Sequence, residues 1–228
     1  MRSVATAIRA SGRPVFRASA LAAACAVVAA CTHKPFADKA MHFSTFKVPP
    51  PKGSTVYVCH AYGCRTQTKI KFGEAELATI KKIMKKTRKD DSAAEERRAV
   101  AYAIGWMERH VGRITGTKAD RAGMDFIGSG DPSQQDCVDE ATNTTSYLTV
   151  LQNNNVLRHH TVGTPFAKEN YLRGIAGWTH WTAVLRETAT GEDWAVDSWI
   201  YKNGENPAVV NAKRWYISSL ENLPKATR

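Results

Sequence analysis

Apolar residues recur with the period of an α-helix in two long stretches near the middle of the chain. The first covers residues 74–89, and the second begins after Asp91-Ser92, a pair that can cap a helix N-terminus. Lysine and arginine cover the polar side of the first stretch, which is typical of a solvated amphipathic face. Gly105 interrupts the second stretch, where it would allow a neighbouring segment to approach closely. The apolar stripes are Leu77, Ile80, Ile83 and Met84, then Val100, Ile104, Met107, Val111 and Ile114.

Polar and larger residues alternate with the period of a β-strand on both sides of these helices. Before them, two alternating segments joined by the turn at 60–63 predict a β-hairpin. In the last third of the chain a second hairpin turns near Gly191. The strands are predicted at 55–59, 64–72, 156–164, 178–185 and 193–199, with a strand or a short helix at 208–220. This mixture predicts an α+β domain over residues 54–228, with helices packed on a small antiparallel sheet.

A loop over residues 116–135 is rich in glycine and aspartate and leads into a third helix, whose first turn holds Cys137. Ser133 and Asp136 are both acceptable N-cap residues for this helix. A cysteine there lies near unpaired backbone N–H groups and the positive end of the helix dipole, which favour the thiolate. The pattern predicts a reactive thiol with a lowered pKa. The alternative is a buried structural cysteine.

The first 30 residues contain four arginines, no acidic residue and an apolar run over residues 18–30. That run is shorter than the roughly 20 residues that span a bilayer, so residues 1–30 are predicted to be a cleaved export signal. The whole chain carries a net charge of +11, which favours anionic surroundings. The lysine-rich helix lacks interleaved aromatic residues, however, and this argues against nucleic acid as a partner.

The apolar run ends in Val28-Ala29-Ala30-Cys31, which resembles the lipobox of bacterial lipoproteins. That resemblance implies cleavage before Cys31, attachment of lipid to its thiol and a periplasm-facing anchor in the cell envelope. Thr32 stands where an inner-membrane retention signal usually has Asp, which favours the outer membrane. The alternative is an ordinary cleaved signal. Residues 31–53 are polar and punctuated by prolines, and they are predicted to form a flexible tether.

Cysteine usage singles out one thiol. The export signal removes one cysteine and lipidation uses Cys31, which leaves three in the domain. In an oxidising compartment Cys59 and Cys64, which flank a four-residue loop, are predicted to form a disulfide. Cys137 is then the only free thiol. A metal site built from Cys59, His60 and Cys64 is the alternative, but it lacks a second ligand pair at recognisable spacing, so we expect no metal and no cofactor.

A histidine and an aspartate follow Cys137 on the two strands of the C-terminal hairpin. With Cys137, His180 and Asp197 give the order of groups that thiol catalysis uses. A thiolate attacks an acyl carbon, an imidazole carries its proton, and a carboxylate orients the imidazole. His159 and His160 are competing bases on another predicted strand. Since adjacent strand residues point to opposite faces, at most one of them could face the site.

Other groups near these residues have candidate supporting roles. The backbone N–H of Cys137 is one candidate donor to an oxyanion, and the side-chain amide of Gln134 or Gln135 is the second. Tryptophans in the last third are predicted to pack in the core, with one or two of them walling a substrate cleft. They are Trp178, Trp181, Trp194 and Trp199.

The segment from Asp131 to Trp199 resembles the core of the transglutaminase-like cysteine enzymes, a papain-related superfamily that includes bacterial cysteine peptidases. The resemblance is carried by Cys137 after Gln-Gln-Asp, by the strand around His180 and by Val-Asp-Ser-Trp around Asp197. It implies an envelope-anchored enzyme that cleaves or transfers amide acyl groups, with a peptide or protein as substrate and peptidoglycan among the candidates. The chain departs from the family by lacking an aromatic residue after the cysteine, which leaves the oxyanion donor open.

Two other functions fit parts of the pattern. An NlpC-type peptidoglycan endopeptidase also begins with an Asp-Cys pair on a helix, although small residues usually follow the cysteine and a histidine replaces Asp197. A non-catalytic lipoprotein could keep the same fold for binding peptide or scaffolding the envelope. In each case we expect a monomer.

Overall fold

The computed structural model describes residues 38–123, 125–168, 179–219 and 222–223. The predicted export signal, Cys31 and Trp178 lie outside the described residues. Helices and small antiparallel sheets form the described chain, which confirms the predicted α+β class. No helix within the described ranges is both long and apolar enough to cross a lipid bilayer.

Five α-helices and seven strands are present in the described ranges. The helices are α1 (Lys39–Thr45), α2 (Glu74–Thr87), α3 (Ala93–Thr115), α4 (Cys137–Asn153) and α5 (Ala212–Ile217). The strands are β1 (Thr55–His60), β2 (Thr66–Lys71), β3 (His160–Val162), β4 (Phe166–Lys168), β5 (His180–Glu187), β6 (Asp193–Asp197) and β7 (Ala208–Asn211). Two 3₁₀ turns, Thr117–Ala119 and Phe126–Gly128, lie between α3 and α4.

The strands form two antiparallel groups. Strands β1 and β2 make the predicted first hairpin. The larger sheet has the order β3-β5-β6-β7, and β4 also pairs with β5. In its register Ala183 lies opposite Val196, and Ala195 lies opposite Val210. The β5–β6 pair is the predicted C-terminal hairpin.

Helix α4 lies at the centre of the fold and is buried on nearly all sides. It packs against β1, β5 and α3, and its apolar residues Leu148 and Leu151 join the main core with Ala183 and Leu185 of β5. The helix also buries a run of Thr, Asn and Ser side chains. The hydroxyls of Thr142 and Thr145 donate to the carbonyl four residues earlier, and that of Thr144 pairs with Ser198, so burial leaves these three paired.

The opposite face of the larger sheet is covered by α5. Trp215 of this helix is fully buried against Val184, Ala195 and Val210. The sheet therefore has a core on each face, with α4 on one side and α5 on the other. The segment at 208–220, predicted as strand or helix, contains both, because β7 leads directly into α5.

The structure differs from the predicted tether over residues 39–45, which form α1. Asp38 caps this helix by accepting a hydrogen bond from the Met41 N–H at 2.8 Å. His42 and Phe43 are buried, and His42 Nε2 lies 2.9 Å from the Thr142 hydroxyl of α4. An apolar anchor within a polar segment thus extends the folded chain to the N-terminal side of residue 54.

Gly105 of α3 has the role that its position in the sequence predicts. A Cβ there would lie 2.7 Å from Asn206 Oδ1 and 3.2 Å from the Glu205 carbonyl oxygen. Only glycine lets the loop before β7 pack this closely on the helix.

The turn between β1 and β2 has an uncommon backbone. Ala61, Tyr62, Gly63 and Cys64 all have φ between 57° and 69°, in the left-handed region. Such a conformation costs roughly 1–2 kcal/mol for each non-glycine residue. The predicted disulfide between Cys59 and Cys64 closes this turn, with the Cα atoms 4.5 Å apart. The disulfide prediction is therefore confirmed.

Replacing both Cys59 and Cys64 with serine is expected to lower the free energy of unfolding by about 2 kcal/mol, because the unfolded chain gains the entropy of an open loop. For a domain of this size that corresponds to a loss of about 4–8 °C in melting temperature. Thermal unfolding followed by circular dichroism measures it. Reductant should lower the wild-type melting temperature similarly and leave the double variant unchanged. A variant as stable as the oxidised wild type would contradict the bracing role.

Candidate functional site

Cys137 occupies the first position of α4, directly after the N-cap Asp136. The Asp136 carboxylate accepts from the Asp139 N–H at 2.8 Å, and the Asp139 carboxylate accepts from the Asp136 N–H at 3.3 Å. This capping box fixes the first helical turn. The Cys137 residue is 5% exposed.

The left-handed turn holds the same two carboxylates from outside the helix. Asp139 accepts the Tyr62 N–H at 2.8 Å and the Cys64 N–H at 2.6 Å, while Asp136 accepts the Gly63 N–H at 3.0 Å. Successive N–H groups in the left-handed conformation point together and form a concave anion-binding site. The β1–β2 hairpin thereby positions the start of α4.

The thiol of Cys137 takes the place of a missing strand partner at the edge of β5. The backbone N–H and C=O groups of odd-numbered β5 residues point toward β6. The Glu187 N–H, for example, donates a hydrogen bond to the Glu192 carbonyl. Strand β6 ends at Asp197, before it reaches the residues opposite Thr179 and Trp181. There Cys137 Sγ lies 3.5 Å from the Thr179 carbonyl oxygen, to which it donates, and it accepts from the Trp181 N–H.

His180 and Asp197 form a buried pair. The distance from His180 Nε2 to Asp197 Oδ2 is 2.7 Å, and the Trp215 Nε1–H donates to the same oxygen at 2.8 Å. The His180 ring lies between Trp199 and Trp215, with centroid distances of 4.6 and 5.3 Å. In the neutral imidazole, a proton on Nε2 that is donated to the carboxylate leaves a lone pair on Nδ1. His180 Nδ1 is buried with no hydrogen-bond partner in the described chain.

The structure brings His180 and Asp197 together but places no hydrogen bond between Cys137 and His180. Alternate residues of a strand face opposite sides of the sheet. The His180 and Asp197 side chains share the α5 face, together with Trp215, whereas α4 packs on the other face. Cys137 reaches the backbone on both sides of His180 from the sheet edge. The thiol and the imidazole thus adjoin one short stretch of β5 from different directions.

The electrostatics of the thiol differ from the sequence-based prediction. Burial is the largest of the causes that together raise the pKa of Cys137 to about 12; the Trp181 N–H lowers the pKa, and the negative charges of Asp136, Asp197 and Asp139 add to the increase. Desolvation outweighs the favourable position at the helix N-terminus. In this conformation the group at position 137 is a neutral thiol.

A pocket of about 390 Å³ opens above the thiol. Trp181 and Trp199 form part of its wall, while Trp194 packs elsewhere against the Arg97 guanidinium, 3.6 Å from its ring centroid. His42 of α1 and Phe46, the residue that caps its C-terminus, support Trp181 at centroid distances of 5.3 and 5.5 Å. The lining residues are Tyr62, Gly123, Asp125, Phe126, Ser129, Asp136, Cys137, Val138, Thr179, Trp181 and Trp199.

The two glutamine amides proposed as oxyanion donors have other partners. Gln134 Oε1 accepts from the Arg121 N–H at 3.1 Å, and its Nε2 donates to the Ser133 carbonyl at 3.2 Å. Gln135 Nε2 donates to the Cys59 carbonyl at 3.1 Å. Both side chains stabilise the loop before α4, and neither lines the pocket.

The competing histidines lie in a different cluster. His160 is buried with its Nδ1 3.0 Å from Glu96 Oε1, and the Glu96 carboxylate also binds Arg88 at 2.7 Å. His159 Nε2 lies 3.1 Å from Asp91. Both histidines therefore support the junction of α3 and β3, and neither lines the Cys137 pocket.

The alternative metal site has its sulfur atoms in the disulfide. Cys59, Cys64 and Asp139 place ligand atoms within 4.8 Å of one another, but disulfide sulfurs are not thiolate ligands. His60 binds the Pro132 carbonyl through Nδ1 at 2.7 Å and Thr68 through Nε2 at 3.0 Å. Cys59, His60 and Cys64 therefore have structural roles in the β1–β2 hairpin.

A group of buried acids around Glu140, in the first turn of α4, was missed by sequence reasoning. Burial raises the pKa of Glu108 to about 7 and that of Asp120 to about 7, and it raises that of Glu140 well above its usual range. Glu140 lies one helical turn after Cys137, and negative charge from Glu108, Asp120 and Asp197 adds to its shift. Glu108 occupies a position in the apolar stripe of α3, a signal that could have identified it. No sequence signal pointed to Trp215.

Comparison of the chain with protein-family models, with curated proteins and with solved structures gives no match. The transglutaminase-like assignment therefore stays a prediction. It rests on the sequence motifs around Cys137, His180 and Asp197.

The buried acids predict that stability falls as pH rises from 6.5 to 8. Unfolded carboxyl groups are ionised throughout this range, while Glu108, Asp120 and Glu140 bind protons over part or all of it in the folded state because burial raises their pKa values. The folded state binds more protons, so the free energy of unfolding decreases with pH, by at least about 1 kcal/mol. His42, whose pKa is lowered to about 4, acts in the opposite direction only below about pH 6.5.

Urea unfolding at pH 6.5, 7.2 and 8 measures this slope. Glu140→Gln, which keeps the side chain neutral, should flatten it, whereas the exposed Glu74→Gln should leave it unchanged. Stability that rises over this range in the wild type would contradict burial of protonated carboxyl groups.

Proposed function

We propose that the protein is a thiol enzyme that cleaves or transfers amide acyl groups, with Cys137 as nucleophile, His180 as proton carrier and Asp197 as orienting acid. One observation carries the proposal. The buried His180 imidazole is held by Asp197 through Nε2, and its Nδ1 has no hydrogen-bond partner in the described chain. The same stretch of β5 holds the Cys137 thiol at the base of a pocket. An unpaired buried nitrogen is costly unless it is used.

The reaction begins from the neutral thiol. We propose that rotation of the Cys137 side chain moves Sγ–H from the Thr179 carbonyl toward His180 Nδ1. As Sγ bonds to the substrate carbonyl carbon, its proton passes to Nδ1, and Asp197 stabilises the imidazolium. The imidazolium then gives this proton to the leaving amine as the C–N bond breaks, leaving a thioester. Water or a second amine attacks the thioester, with His180 accepting its proton and returning it to Sγ.

Two N–H donors are candidates for stabilising the oxyanion. The Cys137 N–H lies in the first turn of α4, where helix geometry provides no intrahelical acceptor. Trp199 lines the pocket, and its indole N–H is buried with no partner in the described chain. This second donor takes the role that Gln134 and Gln135 were expected to have.

We propose that the protein is located in the bacterial cell envelope, where a lipid on Cys31 anchors it and the domain faces the periplasm. Of the two membranes, the outer one fits the sequence after Cys31 better than the inner one. The Cys59–Cys64 disulfide supports an oxidising compartment. The substrate class is a peptide, a protein or peptidoglycan.

A second candidate function is a non-catalytic peptide-binding or scaffolding protein of the same fold. The observation that favours it is the raised pKa of Cys137 together with its hydrogen bond to Thr179 rather than to His180. Under this alternative the pocket binds a ligand and the thiol does no chemistry.

The test is capture of an acyl adduct on Cys137. Envelope extract or purified cell wall is incubated with the protein, and the mass of the peptide containing Cys137 is measured after acid quenching. A thioester adduct is expected in the wild type. Cys137→Ala should abolish the adduct, and His180→Ala or Asp197→Asn should slow its formation by at least about a hundredfold.

His159→Ala is the matched control, because His159 pairs with Asp91 at a surface that does not adjoin the pocket. It should form the adduct at the wild-type rate. A phenotype or ligand binding that survives Cys137→Ala, with no adduct in the wild type, would support the non-catalytic alternative.

A further inference from the structure

A two-residue apolar ridge borders the pocket. Phe126 and Ile127 lie on the 3₁₀ turn before α4 and are 61% and 93% exposed. Phe126 also lines the pocket that holds Cys137. Large apolar side chains that face solvent at the rim of a concave site mark a binding surface.

The turn that carries the ridge is held firmly. Asp125 accepts from the Ile127 N–H at 3.2 Å and pairs with the Arg121 guanidinium. The Tyr62 hydroxyl donates to the Asp125 carbonyl. A Cβ at Gly128 would lie 2.7 Å from Asp125 Oδ2, so the loop is closely packed as well as hydrogen-bonded. A ridge fixed in advance costs little ordering entropy when a ligand binds.

We propose that Phe126 and Ile127 bind a large apolar side chain of the substrate, and that this residue lies close to the amide attacked by Cys137. The inference rests on the proposed function. The pocket is continuous from Cys137 to Phe126, and Val138, Trp181 and Trp199 give its other walls an apolar character. Burial of one such side chain favours an apolar substrate over a polar one by about tenfold or more. The substrate class is therefore a peptide with a large apolar residue near the reacting bond.

The test compares thiol-directed peptide reagents that differ in one side chain. Peptidyl chloromethyl ketones carry leucine or serine at each of the two residues before the ketone. Sγ bonds to the methylene carbon, the C–Cl bond breaks, and chloride leaves together with the thiol proton. The rate of labelling at Cys137 is followed by mass spectrometry, with iodoacetamide as a reagent that has no side chain.

The wild-type protein should react at least about tenfold faster with a leucine reagent than with its serine counterpart. Phe126→Ser and Ile127→Ser should each reduce this preference to below about threefold. Ile114→Ser is the matched control, since Ile114 is 55% exposed on α3 and does not line the pocket. It should keep the full preference and the wild-type iodoacetamide rate, and each preference is taken as the ratio of the leucine and serine rates, so that a change in access to the thiol cancels.

The outcomes separate this inference from the proposed function. Failure of every reagent, the peptidyl chloromethyl ketones included, to label wild-type Cys137 would overturn both. Labelling by iodoacetamide without a leucine preference, or with a preference that the ridge variants retain, would overturn the ridge inference alone. Binding of the same variants to phosphatidylglycerol vesicles is measured as well. If the ridge variants keep the leucine preference but bind the vesicles more weakly than the wild type, the ridge inference is overturned and the ridge is a membrane contact.

Discussion

The carboxylate of Asp139, bound by the N–H groups of Tyr62 and Cys64, is the contact on which the site depends. It connects two elements that are distant in sequence, the β1–β2 hairpin and the first turn of α4. The left-handed turn is unfavourable by itself, and the carboxylates and the disulfide offset its strain. In return the turn fixes the direction in which α4 starts, and hence where the Cys137 thiol lies.

The end of β6 is the second constraint on the site. Had that strand continued one pair further, its carbonyl would have satisfied the Trp181 N–H, and the thiol would have had no place on β5. The chain instead leaves β6 after Asp197, whose carboxylate turns to His180 and Trp215. The end of β6 at Asp197 therefore leaves the edge of β5 open to Cys137 and places the Asp197 carboxylate beside the His180 imidazole.

Much of this arrangement could be predicted from the sequence, because it follows from local rules. The N-cap before Cys137, the two hairpins and the disulfide each depend on a few neighbouring residues, whereas Gly105 indicates a close approach without showing that Glu205 and Asn206 make it. Contacts between distant residues could not be predicted in this way. The burial that raises the thiol pKa, the partners of the Gln134 and Gln135 amides, the indole of Trp215 on Asp197 and the anchoring of α1 all require the tertiary structure. Local secondary-structure propensity contains no information about these tertiary contacts.

The short spacing of Cys59 and Cys64 also affects how the chain acquires its disulfide. The two cysteines are separated by 5 positions, whereas Cys137 lies about 70 residues further along the chain. The entropy of loop closure favours the shorter loop by roughly sixtyfold in the unfolded chain. The native pair is thus the first to meet during oxidation, and the remaining thiol is spared from mispairing before α4 packs into the core and shields it.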